Sequence, residues 1–380
     1  MSGTAPLAGR RVAEVLATST GGVGTHVRAV LPAVVVAGAE VLVCGAPATD
    51  ELFGFRAAGA AFTPVGIGAG LDPVADARAV LQLRRALTGA DLVHAHGLRA
   101  GLVAAAALRL PGGPRRPLVL TLHNALPEGG GGLKRRVLGA AERATVRGAD
   151  VVLAASDDLA GNARRLGAPD VRTAPVSAPA LPPATRSRAE VRAGLGLDGR
   201  RPLVVAVGRL HPQKGYDVLL DAARGWTGDG GPLVAVAGDG PLHAELQARI
   251  TAERLPVVLL GRRDDVADLL AAADLCVLPS RWEARSLTAQ EALRSGTPLV
   301  ATRTGGLPGL LADAAELVPV GDAAALSAAV DRVLADPARA RQLAEAGRRQ
   351  AQTWPDEAAT ARTLVAVYRE LLGPPAEGPP

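Results

Sequence analysis

Residues 203–223 read LVVAVGRLHPQKGYDVLLDAA, and this segment indicates the class of fold. It opens with the short apolar run 203–207, continues through a turn that contains two glycines and a proline, and ends in the helical periodicity of 216–223. A strand, a glycine-containing turn and a helix in this order predict one unit of an α/β fold.

The same alternation recurs along the chain and predicts parallel sheets with helices between the strands. In the first half we predict strands at 12–16, 40–44, 92–94, 118–122 and 151–154, and in the second half at 203–207, 233–237, 257–260, 275–278 and 299–301. Helices are predicted at 323–334, 337–346 and 357–372. The chain has 380 residues, which is more than one hydrophobic core usually supports, so two domains are expected.

The predicted boundary lies where prolines interrupt the alternation. Pro179, Pro182 and Pro183 fall in a segment that also carries several arginines and glycines. We therefore expect a first domain at 1–178, a linker and entry helix at 179–199, a second domain at 200–354, a C-terminal helix at 355–373 and a disordered tail at 374–380.

The composition argues against a disulfide-bonded protein and against a membrane-spanning one. The two cysteines, Cys44 and Cys276, lie far apart in apolar runs, so we expect two reduced core thiols and neither a disulfide nor a metal site. The chain contains no apolar segment of membrane-spanning length and no signal-peptide pattern, which favours a soluble, cytoplasmic protein.

Charge is placed unevenly along the chain. The net charge is +5, and residues 1–175 carry 19 Lys and Arg against 13 Asp and Glu, hence +6. This basic half could touch an anionic membrane surface, although basic clusters are more often a solvated helix face. Nucleic acid is not expected as a partner, because no recognition motif accompanies the charge.

Two loops after predicted strands suit an anion. Residues 20–25, TGGVGT, follow the first strand and precede a helix predicted from His26, so they could bring backbone amides to a phosphate or simply form a tight turn. Arg209 and Lys214 follow the strand at 203–207 and could grip a diphosphate.

The segment 280–298, SRWEARSLTAQEALRSGTP, is the most specific pattern. Ser286 can cap a helix that Gly296 ends. The helix N-terminus carries partial positive charge and suits a phosphate, and Glu283 lies just before it. Glu291 sits on the second turn and can lean back toward the same ligand, where a carboxylate suits the paired hydroxyls of a ribose.

These stretches resemble the retaining glycosyltransferases of the GT-B fold, family 4, also called group 1. The resemblance rests on VGRLHPQKGYDVLLDA (207–222), VAGDGPL (236–242), residues 259–293 and SGTPLVATRTGGLPGLL (295–311), with weaker echoes in GGVGTHV (21–27), DLVHAHG (91–97) and LTLHN (120–124). It implies two Rossmann-like domains facing each other across a deep cleft, with the acceptor on the first, the nucleotide-sugar donor on the second, and the C-terminal helix crossing back to the first.

The resemblance also implies roles for individual residues. Arg209 and Lys214 would neutralise the donor diphosphate, Glu291 would bind the ribose, and Glu283 would lie beside the donor sugar. The remaining implied donor contacts are His123 near the sugar's 6-position, Gly22 in a loop that closes on the diphosphate, the amides of Ser286 and Leu287, and Arg262 near the nucleobase. Of the other histidines, His94 and His96 are expected to form a structural pair, whereas His26, His211 and His243 suggest only loop or surface positions.

The expected reaction moves a hexose to an acceptor hydroxyl with retention of configuration, in a bacterial enzyme. No Asp-x-Asp occurs in the sequence, so neither a metal nor another cofactor is expected. The sequence does not identify the donor, for which a UDP-sugar and GDP-mannose are among the candidates, or the acceptor. The alternatives are a nucleotide-sugar epimerase and a non-catalytic sugar-nucleotide-binding protein. Arg285-Ser286 departs from the aromatic-Gly that family members often carry.

Overall fold

The chain folds into two compact units, each built around a parallel sheet. The structure is a computed structural model that describes residues 5–19, 21–68, 70–109, 115–125, 132–197, 200–228 and 230–374. The first unit combines the described residues up to Ser177 with those from Pro355 onward, and the second is Ala178–Trp354. Residues 375–380 of the predicted tail lie outside the described residues.

The first unit contains a seven-stranded sheet in the order β3-β2-β1-β4-β5-β6-β7. All its strand pairs are parallel. The strands are β1 (Arg11–Leu16), β2 (Glu40–Gly45), β3 (Ala61–Pro64), β4 (Leu92–His96), β5 (Leu118–Leu122), β6 (Val151–Ala154) and β7 (Val171–Thr173). Its helices are α1 (Gly22–Val36), α2 (Pro47–Phe53), α3 (Pro73–Ala86), α4 (Leu98–Arg109), α5 (Leu133–Gly148) and α6 (Asp157–Leu166).

The glycine-rich segment after β1 is helical earlier than the sequence predicts. Helix α1 begins at Gly22, four residues before the predicted start at His26, so residues 22–25 form its first turn and not a loop ahead of it. The N-cap, Gly21, has no side chain, and the hydroxyl of Ser19 instead accepts a hydrogen bond from the amide of Gly24 at 3.2 Å. A hydroxyl that satisfies an open amide lets the helix start early.

The last helix belongs to the first unit. Helix α15 (Glu357–Leu372) begins after Pro355, and its N-cap Asp356 accepts a hydrogen bond from the amide of Ala359 at 2.6 Å. Its apolar face joins the core formed by β1, as shown by the buried Leu364 and Tyr368. The C-terminal segment therefore completes the core that the N-terminal half begins.

The second unit contains a six-stranded parallel sheet in the order β10-β9-β8-β11-β12-β13. The strands are β8 (Leu203–Val207), β9 (Leu233–Ala237), β10 (Val257–Leu259), β11 (Leu275–Leu278), β12 (Leu299–Thr302) and β13 (Glu316–Val318). The helices are α7 (Arg188–Gly194), α8 (Tyr216–Ala223), α9 (His243–Glu253), α10 (Val266–Ala272), α11 (Leu287–Ser295), α12 (Leu307–Leu311), α13 (Ala323–Ala335) and α14 (Pro337–Gln352).

Strand β8 shows how this sheet is buried on both faces. Val204 and Ala206 join one apolar cluster, and Leu203 and Val205 join the cluster on the opposite face. A strand with two covered faces needs apolar residues at every position, which explains the uninterrupted run LVVAV. Cys44 and Cys276 are buried free thiols, as predicted.

The helices of the described residues are too short or too polar to span a bilayer.

Candidate active site

The strand order of the second unit places two loops at its topological switch point. The chain runs outward from β8 through β9 and β10 and then returns to β11 on the other side of β8. Ligands of open parallel sheets bind at the carboxyl ends of the strands at such a point. The loops after β8 and β11 carry the residues of the two strongest sequence motifs, and the structure brings these two loops together.

Close backbone contacts join these loops. The amide of Arg281 donates to the carbonyl of Gln213 at 2.7 Å, and the amide nitrogen Nε2 of Gln213 donates to the carbonyl of Trp282 at 2.9 Å. Gly215 adopts φ +67°, and a Cβ there would lie 2.1 Å from the carbonyl oxygen of Pro279. Only glycine fits this approach, so the second glycine of the β8 motif fixes how closely the loops meet.

Lys214 and Glu283 form the centre of the site. Lys214 Nζ lies 2.6 Å from Glu283 Oε1, and the hydroxyl of Ser280 donates to the same oxygen at 2.7 Å. Glu283 is 6% exposed. Within the described residues, Glu283 Oε2 has no hydrogen-bond partner, so one carboxylate oxygen can accept a hydrogen bond from a ligand.

Gly305, which the sequence patterns do not predict as part of the site, supports Glu283. Gly305 adopts φ +51°, and a Cβ there would lie 2.1 Å from the carbonyl oxygen of Glu283. The next amide, that of Gly306, donates to this carbonyl at 2.8 Å. The sequence TGG at 304–306 carried a signal for this role, because paired glycines after a strand often mark a close backbone approach.

The two predicted cations differ in their surroundings. Arg209 follows β8 directly, is exposed, and has no ion-pair partner among the described residues. Lys214 is already paired with Glu283, so a diphosphate would share this cation with the carboxylate. Of the two cations predicted to bind the diphosphate, Arg209 has no ion-pair partner among the described residues and Lys214 is held by Glu283.

Helix α11 begins at the same switch point. The hydroxyl of Ser286, its N-cap, accepts a hydrogen bond from the amide of Ala289 at 3.3 Å, and Gly296 ends the helix in the left-handed conformation. The hydroxyl of Thr288 donates to the carbonyl of Val207 at 3.1 Å, which fixes the first turn against the end of β8. The amides of Ser286 and Leu287 therefore stand at the positive end of a rigid helix.

Glu291 lies on α11 in a largely buried position. Burial raises its pKa from 4.5 to about 7, although the charges of Arg294 and Lys214 lower it. The influence of Lys214 shows that Glu291 and the Lys214–Glu283 pair belong to one electrostatic environment. A carboxyl whose pKa is strongly raised by burial, on a helix that begins at a sheet's switch point, is typical of binding sites.

Arg262 occupies a more peripheral position. It is exposed and follows Gly261 after β10, two strands away from β8 in the sheet. Among the described residues it has no ion-pair partner. It remains a prediction for the nucleobase.

Arg285, the departure from the family pattern, is poorly satisfied. Its Nε and Nη2 are buried without a hydrogen-bond partner, as is Nε1 of Trp354. The guanidinium carbon lies 5.6 Å from the centroid of the Trp354 ring. Burial and the charge of Arg294 lower the pKa of Arg285 to about 10, so this buried cation is destabilised relative to water.

The first unit has its own switch point, between β1 and β4. The side chains gathered at this end of its sheet form a buried cluster, the histidine cluster, which consists of Glu14 on β1, His26 on α1, His94 and His96 on β4, Thr121 on β5, His123 just after β5, and Tyr368 on α15. His94 and His96 are both buried and hydrogen-bonded, which agrees with the prediction that their side chains are satisfied within the fold. The assignment of His26 to a loop or the surface was wrong, because this residue is 4% exposed and its ring lies 5.3 Å from that of His123.

Hydrogen bonds link the histidine cluster. His96 Nε2 lies 2.8 Å from Glu14 Oε2, and His96 Nδ1 lies 3.3 Å from His123 Nε2. The hydroxyl of Tyr368 donates to Glu14 Oε1 at 2.8 Å. His123, predicted to face the donor sugar, is thereby connected to a buried carboxylate.

The protonation of the cluster follows from its burial. Burial would raise the pKa of Glu14, but the charge of His94 and hydrogen bonds from His94 and His96 lower it well below its usual value. Burial and, to a smaller degree, the charges of neighbouring histidines together lower the pKa of His26 to about 3, that of His96 to about 4 and that of His123 well below 6.5, although Glu14 raises the pKa of His26 and His96. The carboxylate is therefore charged and these three imidazoles are neutral at pH 7.

Among the residues that the structure describes, the same cluster contains two groups of side chains that could hold a metal. The ligand atoms of His26, His96 and His123 lie within 4.8 Å of one another, as do those of Glu14, His94 and His96. Neutral imidazoles are suitable ligands. The hydrogen bonds described above already engage His94, His96 and Glu14, so metal binding would have to replace them.

Comparisons with known proteins identify the family. The family model described as Glycosyl transferases group 1 matches residues 187–350, and the Glycosyl transferase 4-like domain matches residues 21–179. The 2-deoxystreptamine N-acetyl-D-glucosaminyltransferase of Streptomyces fradiae is 34% identical over 66% of this chain, which spans 64% of that protein's length.

A second relative and a solved structure cover more of the chain. The D-inositol 3-phosphate glycosyltransferase of Frankia alni is 33% identical over 75% of both chains. The crystal structure of Anabaena HepE in complex with UDP-glucose matches with a TM-score of 0.80 at 21% identity, over 95% of this chain and 100% of that one. The two Rossmann-like halves therefore have the GT-B fold, and the chain belongs to the group 1 glycosyltransferases.

Proposed function

We propose that this glycosyltransferase moves a hexose from a nucleotide-diphosphate sugar to an acceptor hydroxyl with retention of anomeric configuration. The observation that carries the proposal is the arrangement at the switch point of the second unit. There the Lys214–Glu283 pair, the N-terminus of α11 and the largely buried Glu291 lie on the segments that follow β8 and β11. A cation, open amides and two carboxylates match the phosphates and hydroxyls of such a donor.

In the proposed reaction, the bond between the sugar's C1 and the diphosphate oxygen breaks. The acceptor oxygen forms its bond to C1 on the same face, and its proton passes to the departing diphosphate oxygen. The atoms balance without an enzymatic base. Arg209, Lys214 and the amides of Ser286 and Leu287 would stabilise the charge that develops on the leaving diphosphate.

We further propose that the reaction needs no divalent metal. The support is that the chain has no Asp-x-Asp sequence, whereas Arg209 and Lys214 supply positive charge next to β8. Among donors, a UDP-sugar is the first to test, because HepE has been solved with UDP-glucose, and GDP-mannose is the second. The acceptor is unassigned. We separately propose that the basic first half contacts an anionic membrane, which co-sedimentation with anionic vesicles would test.

The first test is thermal stability with UDP, GDP, ADP and TDP, each without metal. A ligand at about 100 times its dissociation constant should add roughly 2.7 kcal/mol to the stability of the folded state. We expect one nucleotide to do so, and we expect Arg209→Ala and Glu291→Ala to abolish the effect. Arg349→Ala is the matched control, because Arg349 is an exposed arginine of the same unit with a side chain 69% exposed.

A second measurement follows the products. Transfer to an acceptor or release of free sugar and nucleotide supports the proposal, whereas release of an epimerised nucleotide sugar would support the epimerase instead. If no nucleotide stabilises the wild-type protein, the donor site is assigned wrongly.

A further inference from the structure

The hydrogen bonds of the histidine cluster determine where its protons lie. Glu14 is fully buried and ionised, so both of its oxygens can only accept. Its Oε2 lies 2.8 Å from His96 Nε2, and that nitrogen must therefore carry a proton.

The next step runs from His96 to His123. Because His96 is neutral and its proton lies on Nε2, its Nδ1 holds a lone pair and can only accept. The partner of this lone pair is His123 Nε2, at 3.3 Å, which must then be the protonated nitrogen. His123 is also neutral, so its other nitrogen, Nδ1, is left as a hydrogen-bond acceptor.

His94 forms a separate branch from the same carboxylate. The hydroxyl of Tyr368 donates to Glu14, so its oxygen accepts from His94 Nδ1 at 2.6 Å. His94 Nε2 bonds the hydroxyl of Thr121 at 2.7 Å. His94 is as buried as His96 and lies in the same strand, but no hydrogen bond connects it to His123 among the described residues.

We propose that Glu14 and His96 are positioning residues that hold His123 in the tautomer protonated at Nε2, so that His123 Nδ1 accepts a hydrogen bond from a hydroxyl group of the substrate. The inference rests on the proposed function and on the role near the sugar's 6-position that the family resemblance implies for His123. An unprotonated Nδ1 on His123 would favour a substrate group that can donate a hydrogen bond. A sugar hydroxyl can donate to Nδ1, whereas an ionised phosphate or carboxylate oxygen carries no proton to donate.

The direct test is ¹⁵N NMR of the protein labelled at histidine. The chain has six histidines, and His123→Gln identifies the resonances of His123 by their loss. At pH 7.5 we expect a proton on His123 Nε2 and none on Nδ1. A proton on Nδ1, or on both nitrogens, overturns the inference.

Three variants separate positioning from packing. His96→Phe removes the acceptor for His123 and should leave that residue as a mixture of tautomers, whereas the matched change His94→Phe should leave it protonated at Nε2. His96→Asn restores an acceptor oxygen near the place of Nδ1 and should restore the single tautomer. The Asn variant also keeps the test open if the Phe variant does not fold. A tautomer that does not change in His96→Phe overturns the positioning role.

Kinetics with UDP-glucose or GDP-mannose, whichever the enzyme turns over, give the functional measure. We expect His96→Phe to lower kcat/KM about tenfold while the affinity for the free nucleotide stays unchanged, as the loss of one oriented hydrogen bond to the sugar predicts. An equal loss of nucleotide affinity would indicate general disruption and would overturn the role. If the tautomers are as predicted but no nucleotide sugar is turned over, the proposed function fails and the proton assignment stands.

Discussion

Replacing Glu291 by glutamine should stabilise the protein at alkaline pH. The folded state holds the pKa of this carboxyl at about 7, against 4.5 in the unfolded chain, because burial opposes its charge. A carboxyl with a raised pKa costs stability as the pH rises from about 4.5 to about 7, and the full cost is present above that range. Glutamine has a similar shape but no charge, so it removes this cost.

The magnitude follows from the two pKa values. The difference between 4.5 and about 7 corresponds to about 3 kcal/mol at pH 8 and to less than about 0.5 kcal/mol at pH 4.5. Because Glu291 keeps some contact with solvent, we expect a gain in the free energy of unfolding between about 1 and 3 kcal/mol at pH 8. At pH 4.5 the variant and the wild type should be nearly equal.

The assay is urea unfolding at both pH values, followed by tryptophan fluorescence. The three tryptophans, Trp226, Trp282 and Trp354, all lie in the second unit, so the signal reports the unit that contains Glu291. Glu345→Gln is the matched control, because the side chain of Glu345 is 62% exposed and should show no such pH-dependent gain. Equal stability of Glu291→Gln and wild type at pH 8, or the same gain at both pH values, would show that burial does not raise the pKa of Glu291.

Four further predictions concern the same site. Arg209→Ala should leave the free energy of unfolding within about 0.5 kcal/mol of wild type, because the side chain is exposed, yet it should remove the stabilisation by the bound nucleotide. A large loss of stability without nucleotide would contradict the first expectation. Arg285→Phe should raise the free energy of unfolding by about 1–3 kcal/mol in urea titrations, because it removes a cation whose two buried nitrogens have no hydrogen-bond partner. A lower free energy of unfolding would show that this guanidinium has a partner. Nucleotide affinity measured by calorimetry should fall as the pH drops below about 7, where Glu291 takes up a proton, and an unchanged affinity between pH 8 and pH 6 would exclude it as a charged ligand. Transfer activity should persist in EDTA and gain nothing from Mg²⁺, and a loss in EDTA that Mg²⁺ restores would disprove metal independence.

The interior strands and the edge strand β10 could be predicted from the sequence, whereas the other edge strands, β3, β7 and β13, could not. Leu203–Val207 and Val151–Ala154 are continuous apolar runs, Leu118–Leu122 is apolar except for Thr121, and the structure has strands with these bounds. The strands Ala61–Pro64 and Val171–Thr173 were missed. They lie at the two edges of their sheet, are only partly buried, and contain a proline or an arginine, so they lack the apolar signal of a covered strand.

The site shows the same division between local and long-range information. The cap at Ser286 and the end of α11 at Gly296 depend on neighbouring residues, and both were predicted correctly. The support of Glu283 by Gly305 joins segments that follow different strands. The burial of His26 depends on β4 and β5, which come some 70 or more residues later in the sequence. Local spacing gives no signal for such contacts, because the sheet order alone brings them together.

The bond between Tyr368 and Glu14 has a consequence for how the protein is made. These residues are 354 positions apart, and the tyrosine lies on the last helix. A ribosome that adds about 5–20 residues per second needs roughly 20 to 70 seconds to pass from one to the other. Throughout that interval the newly made N-terminal unit has a buried acid that lacks one of its hydrogen-bond donors and an uncovered apolar face at β1. The first half of the chain therefore cannot reach its final stability until helix α15 has been made and has covered this core.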